Sequence, residues 1–288
     1  MTAVLHPNIR LGEVKLKVSD LERSITFYEE VIGLKLLRRE GELAYLTVDG
    51  QNALVILQQV ADAIIVPERS MSGLYHFAIL LPTREALAVT LQHLVNKGIS
   101  VGQADHIVSE ALYLADPDGN GIEIYRDRPR EEWEYDTQGN VNMVTIPIDW
   151  KGLLQLAQGK EWTGMPAQTV IGHVHFHASN ITESGRFYTE VIGFTVEADF
   201  LNRMGALFLA AGGYHHHLGL NIWAGRNAPI TPPNGTGIAY FSIIVPDEAE
   251  LEKIAARLEA DGAHLEREAQ SIFTYDPNRI GILIYVAK

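Results

Sequence analysis

Cysteine is missing from all 288 residues. Disulfides therefore contribute nothing, and any bound metal has to be held by histidine and carboxylate. Basic runs are missing as well: 36 acidic residues outnumber 23 lysines and arginines, for a net charge of −13 and a pI of about 5.3. Non-specific nucleic-acid binding needs a basic surface that displaces counterions, so that class is excluded. No apolar stretch approaches the roughly 18 residues of a membrane span. The start, MTAVLHPNIRLGEV, has no basic segment followed by an apolar core, so no secretory signal is read there and a cytoplasmic protein is expected. What the chain does have is a 47% hydrophobic composition and length enough for two ordinary domains.

It also repeats itself. Leu11–Leu34, LGEVKLKVSDLERSITFYEEVIGL, recurs as IGHVHFHASNITESGRFYTEVIGF at Ile171–Phe194. Alternation in Val14, Leu16 and Val18 marks a half-buried strand. Ser19-Asp20 and Ser179-Asn180 supply helix-capping chemistry, and Gly33 and Gly193 suit the helix ends. A second pair begins at Gly73 and Gly237, each a strand, a proline, a helix and a glycine stop. Both finish on an Asp-Pro turn and a last strand, ALYLADPDGNGIEIY at Ala111–Tyr125 and SIFTYDPNRIGILIY at Ser271–Tyr285. Four βαβββ modules result, at about 11–66, 73–127, 170–226 and 237–288. The expected class is α+β, with an N-terminal module pair in residues 1–127, a linker over 128–169 and a C-terminal pair in 170–288. A short helix is predicted near Asp149–Gln158, inside the linker.

The paired modules, the SDLERSITFYEEVIGL element and the DPDGNGIEIY finish resemble the vicinal oxygen chelate superfamily. That group includes glyoxalases, fosfomycin- and bleomycin-resistance proteins and extradiol dioxygenases. Three longer runs, GLYHFAILLP, ALYLADPDGNGIEIYRDRPR and GGYHHHLGLNIWAGRNAP, are similar to extradiol catechol dioxygenases of the Bacillus type. The resemblance implies that module pairs curl their sheets into two cups. It also implies a metal held by two histidines and a glutamate, Fe(II) first and Mn(II) or another divalent ion as alternatives. Such a facial set leaves open positions for a catecholate and O₂.

Carried over residue by residue, the resemblance gives an uneven result. The fourth module holds Tyr240 and Leu283 where a histidine and a glutamate are expected, and the first holds Glu13 in place of a histidine. The second module offers His76 on its first strand and Glu123 on its last, and the third offers His173. His175 and His177 share the strand face of His173 and compete with it for the ligand role. Tyr113 stands ten residues before Glu123, where extradiol enzymes carry a tyrosine that donates to a substrate oxygen; Phe273 replaces it in module four. In the run His215–His217 strand alternation sends inward either His216 or the pair His215 and His217; the resemblance favours His216 as acid-base, with His217 its competitor and a substrate contact. His106 is a further candidate for the cup lining, and Trp223 and Arg226 for its rim.

Each residue also has a plainer reading. A histidine is usually a surface or satisfied core residue, the 215–217 run could be a polar edge, and Tyr113 could simply pack. A buried, unpaired carboxylate such as Glu123 between Ile122 and Ile124 is costly, however, and a metal would compensate it. If the site is real, modules two and three have to meet in one cup, within one chain or across a homo-oligomer. The expected partners are a small aromatic diol and O₂, and the expected activity is extradiol ring cleavage. The rival activities are a glyoxalase-like isomerase or lyase, a thiol-dependent resistance transferase and a non-enzymatic sequestering protein.

Overall fold

The computed structural model describes residues 4–137 and 141–287. Module one runs β1 (Arg10–Val18), α1 (Leu21–Phe27), β2 (Lys35–Glu40), β3 (Leu43–Thr47) and β4 (Val55–Gln59). Module two runs β5 (Gly73–Leu80), α2 (Arg84–Asn96), β6 (Gly102–Asp105), β7 (Ser109–Ala115) and β8 (Gly121–Asp127). The linker contains α3 (Trp150–Leu156), within the stretch the sequence marks. Module three runs β9 (Val170–His177), α4 (Ile181–Arg186), β10 (Thr195–Phe200), the one-turn α5 (Leu201–Met204), β11 (Ala206–Ala210) and β12 (Leu218–Asn221). Module four runs β13 (Gly237–Val245), α6 (Glu248–Asp261), β14 (Glu266–Glu268), β15 (Ser271–Tyr275) and β16 (Gly281–Val286).

The local chemistry explains the repeated helices. Asp20 and Asn180 cap α1 and α4, accepting from backbone N–H groups of the first turn. Both helices widen into a π turn and stop at Gly33 and Gly193, whose φ values of +88° and +108° only glycine adopts cheaply. The buried tyrosine of each Phe-Tyr pair has to satisfy its hydroxyl. Tyr28 donates to Asp116 of module two at 3.2 Å, and Tyr188 donates to Asp276 of module four at 3.1 Å. Each Asp-Pro turn is thus tied to the helix of the module before it.

Strand pairing follows a different grouping. One eight-stranded sheet has the order β14-β15-β16-β13-β1-β4-β3-β2, and the other β10-β11-β12-β9-β5-β8-β7-β6. Modules one and four share the first curled sheet, and modules two and three share the second. The joins are antiparallel, β1 on β13 and β5 on β9. The linker also does more than connect. Residues near Ile146 bridge to Asp105, and Trp133 packs on Tyr214 and His215, so this segment lies across one side of the second sheet.

Candidate metal centre

Three neighbouring strands of the second sheet converge on one spot. In the register, Ala78 of β5 lies between His173 of β9 and Glu123 of β8. His76 precedes Ala78 by two residues and points to the same face. The small Ala78 side chain leaves room above it for three larger neighbours. Nε2 of His76 is 3.3 Å from Nε2 of His173, and each of these nitrogens is 3.1 Å from Oε2 of Glu123. All three side chains are buried. Among the described residues they are the group of histidines and carboxylates close enough to share one metal ion.

The donor set fits a divalent cation. Three atoms on one face of an octahedron, each about 2.1 Å from a central ion, stand about 3 Å apart. Their protonation suits it too. Burial holds His173 neutral, lowering its pKa to about 4. Burial alone would raise the Glu123 carboxyl, but the facing His173 and His76 outweigh it and keep it well below the usual range. An ionised carboxylate beside a neutral imidazole is what metal binding requires. Nδ1 of His173 has no partner among the described residues, so all its polar engagement is on the side facing His76 and Glu123.

His175 and His177, the competitors on β9, are held elsewhere. Asn221 at the end of β12 is fully buried; its amide N–H donates to His175 Nε2 at 3.0 Å, and its oxygen accepts from His177 Nδ1 at 2.6 Å. Nothing local marks Asn221, because its role depends on β12 pairing beside β9. Gly219 is its companion: a Cβ there would stand 2.7 Å from the His175 ring.

The donor set opens on a cavity of about 620 Å³. Tyr75, Phe208, Trp223, Met143 and Val144 supply apolar walls, the last two from the linker. The Trp223 indole donates to the carbonyl of Met204, fixing α5 at the rim, whereas Arg226 is exposed and outside the lining. Tyr113 and His106 both line the cavity. The β7–β8 register sets Tyr113 directly opposite Glu123, which accounts for the ten-residue spacing. His106 Nδ1 donates to the Val144 carbonyl at 2.7 Å. In a neutral ring Nε2 is then an acceptor, so the Tyr113 hydroxyl 2.8 Å away donates to it. The Tyr113 hydrogen is therefore turned to His106, and its lone pairs remain for the cavity. Burial and the nearby Glu123 charge push the Tyr113 phenol well above its usual pKa.

The alternation expected for residues 215–217 does not apply, because β12 begins only at Leu218 and the three histidines occupy the preceding turn. His215 and His216 both line the cavity, and the His216 ring lies 4.1 Å from that of His173. His217 is turned away, packed between Phe194 and Tyr214, with Nδ1 accepting from the Ala211 N–H. Burial, then the neighbouring histidines, lowers its pKa from 6.5 to about 3. The unfolded chain thus binds a proton that the folded one refuses, and stability present above pH 6.5 is lost as pH falls toward 3. Thermal unfolding of the metal-free protein is expected to show this decline, and His217→Gln to flatten it. An unchanged slope in the variant would contradict this account.

Glu13, which stands at the histidine position of module one, sits in the first sheet and accepts from Ser242 and Tyr285 at 2.8 and 3.1 Å. Among the described residues no helix is long and apolar enough to cross a membrane.

Paired βαβββ modules wrapped around a buried donor set place the chain in a recognisable class. It belongs to the Glyoxalase/Bleomycin resistance protein/Dioxygenase superfamily, whose profile matches residues 10–124 and 170–276. Within that class it is 47% identical over 277 residues to the catechol-2,3-dioxygenase of Bacillus subtilis (strain 168), covering 96% of each chain. Among solved structures it is similar to a candidate dioxygenase from Bacillus subtilis, with a TM-score of 0.63, 12% identity and coverage of 96% of this chain and 84% of that one. Glyoxalase I from Zea mays gives a TM-score of 0.57 at 16% identity, covering 97% and 92%. At such identities these two structures speak to the fold alone.

Proposed function

We propose that this chain is an extradiol ring-cleaving dioxygenase of the catechol 2,3-dioxygenase type, with Fe(II) held by His76, Glu123 and His173. The observation that carries the reading is the triangle of donor atoms, 3.1–3.3 Å on a side, at the floor of a largely apolar cavity. When bound, the ion would supply positive charge that favours diol deprotonation, and open positions that hold the diol and O₂ together. The chain does the rest. Apolar walls from Phe208, Trp223, Met143 and Val144 exclude water and accept the flat ring. His216, held neutral by burial and neighbouring histidines, takes a hydroxyl proton and later returns it. Tyr113, backed by His106, offers its oxygen to a substrate hydroxyl. Both oxygen atoms of O₂ enter the product, and the carbon–carbon bond beside the diol breaks to give a muconic semialdehyde.

An isomerase of the glyoxalase kind would need a fourth protein ligand, and among the described residues no fourth histidine or carboxylate joins the group formed by His76, Glu123 and His173. The deciding experiment is anaerobic reconstitution with Fe(II), followed by catechol and air. A yellow semialdehyde is expected. Stoichiometric metal without colour would favour the isomerase, and no bound metal would favour a sequestering protein. In the active protein Tyr113→Phe is expected to lower kcat about tenfold, the equivalent of one hydrogen bond of roughly 1.4 kcal/mol. Unchanged turnover would remove Tyr113 from the site.

A further inference from the structure

Strand β8 carries more than Glu123. Alternation puts Glu123, Tyr125 and Asp127 on one face of it. Oδ1 of Asp127 lies 2.9 Å from Nε2 of His215, a ring only 1% exposed. Nδ1 of that ring lies 2.8 Å from Nδ1 of His216. The other carboxylate oxygen accepts from Tyr214 at 2.9 Å, and the Tyr214 oxygen is 2.7 Å from the Tyr125 hydroxyl. Burial keeps the Tyr214 phenol well above its usual pKa, so it stays a donor. At the far end of this row, Gly172 gives Tyr125 its space, since a Cβ there would stand 1.7 Å from the phenol oxygen.

The direction of the hydrogens follows from the carboxylate. Asp127 can only accept, so His215 Nε2 bears a hydrogen. In its neutral form a His215 ring that gives its one hydrogen to Asp127 accepts at Nδ1, and the hydrogen between the two rings then belongs to His216. Nε2 of His216 is then bare, with no partner among the described residues, in a ring that lines the cavity. We propose that Asp127 and His215 are positioning residues that fix His216 as its Nδ1–H tautomer and leave Nε2 as the acceptor facing a substrate hydroxyl. The catalytic consequence rests on the dioxygenase reading; the tautomer does not. Without the pair, His216 would be free to place its hydrogen on Nε2, where it blocks acceptance.

The test uses ¹⁵N-histidine-labelled protein loaded with Zn(II), a diamagnetic occupant of the site, with His216 assigned by its loss in His216→Gln. Two-bond proton–nitrogen correlations are expected to show His216 protonated at Nδ1 and bare at Nε2. In Asp127→Ala, and in His215→Phe, which keeps a ring of similar size, that pattern should give way to a mixture or to Nε2–H. In the Fe(II) enzyme each variant is expected to lose about 10- to 100-fold in kcat with KM changed little, the scale on which partners of site histidines act. The double variant should be no worse than His215→Phe alone, because the two residues act in series. A wild-type His216 protonated at Nε2 overturns the proposal. So do unchanged kcat in both variants, or losses that multiply. A wild type that cleaves no catechol would defeat the dioxygenase reading while the nitrogen signals still decide this one.

Discussion

Glu123→Gln is expected to remove bound metal and ring cleavage together, with activity falling at least a hundredfold. The amide has almost the same shape, so the β8 backbone and its pairing with β5 and β7 are retained. What is lost is the negative charge that two buried histidines face. A neutral three-donor set has nothing to offset the charge of a dication drawn from water. The control is His177→Gln, on the same strand face but engaged by Asn221 and 2.6 Å from its oxygen, which should keep its metal. Metal content per chain and semialdehyde formation check both variants. A Glu123→Gln protein that binds metal normally would show that the donor set lies elsewhere.

His216→Ala has the second large expected effect, a loss of about 10²- to 10⁴-fold in kcat with metal content unchanged. The ring contacts His173 without offering a nitrogen to the donor triangle, so its removal deprives the cavity of a proton carrier and leaves the ligands in place. Burial and the surrounding histidines keep it in the neutral form, which is able to accept. The loss should exceed that of Tyr113→Phe, whose phenol is held well above the range in which it would ionise. Turnover with catechol, beside metal analysis of the same sample, separates the two effects. A kcat within about threefold of wild type, far below the expected general-base contribution, would rule out His216 as the proton carrier.

The sequence made some of this legible and withheld the rest for identifiable reasons. The module pattern is local: capping Asp20 and Asn180, stops at Gly33 and Gly193, and strand alternation are written in adjacent residues. The uneven distribution of His76, Glu123 and His173 over the copies already required modules two and three to meet, and the second sheet joins them within one chain. The choice among the three histidines of β9 was not legible. It depends on Asn221, some forty-five residues away, whose partner strand is assigned only by the fold. Strand alternation does not set the orientation of His215–His217, because they lie in the turn before β12, and His215 lines the cavity together with the favoured His216. Asp127 carries no motif; it matters because β8 delivers it to a turn from the other half of the chain. The linker offered only scattered prolines and glycines, and its contribution of Met143 and Val144 to the cavity wall is visible only in three dimensions.

The exchange of modules between the two sheets also sets a timetable for synthesis. Strand β5 ends at residue 80, and β9, its neighbour on one side, begins at residue 170, so about 90 residues have to be made in between. At ribosomal rates that is about 5–18 s during which the strand bearing His76 has a bare edge. An unpaired edge is a template for mispairing, and here its intended neighbour is still unborn. The half-cup of module two therefore has to stay soluble on its own. The histidine of the second half has to arrive late, as the piece that closes both the sheet and the donor set.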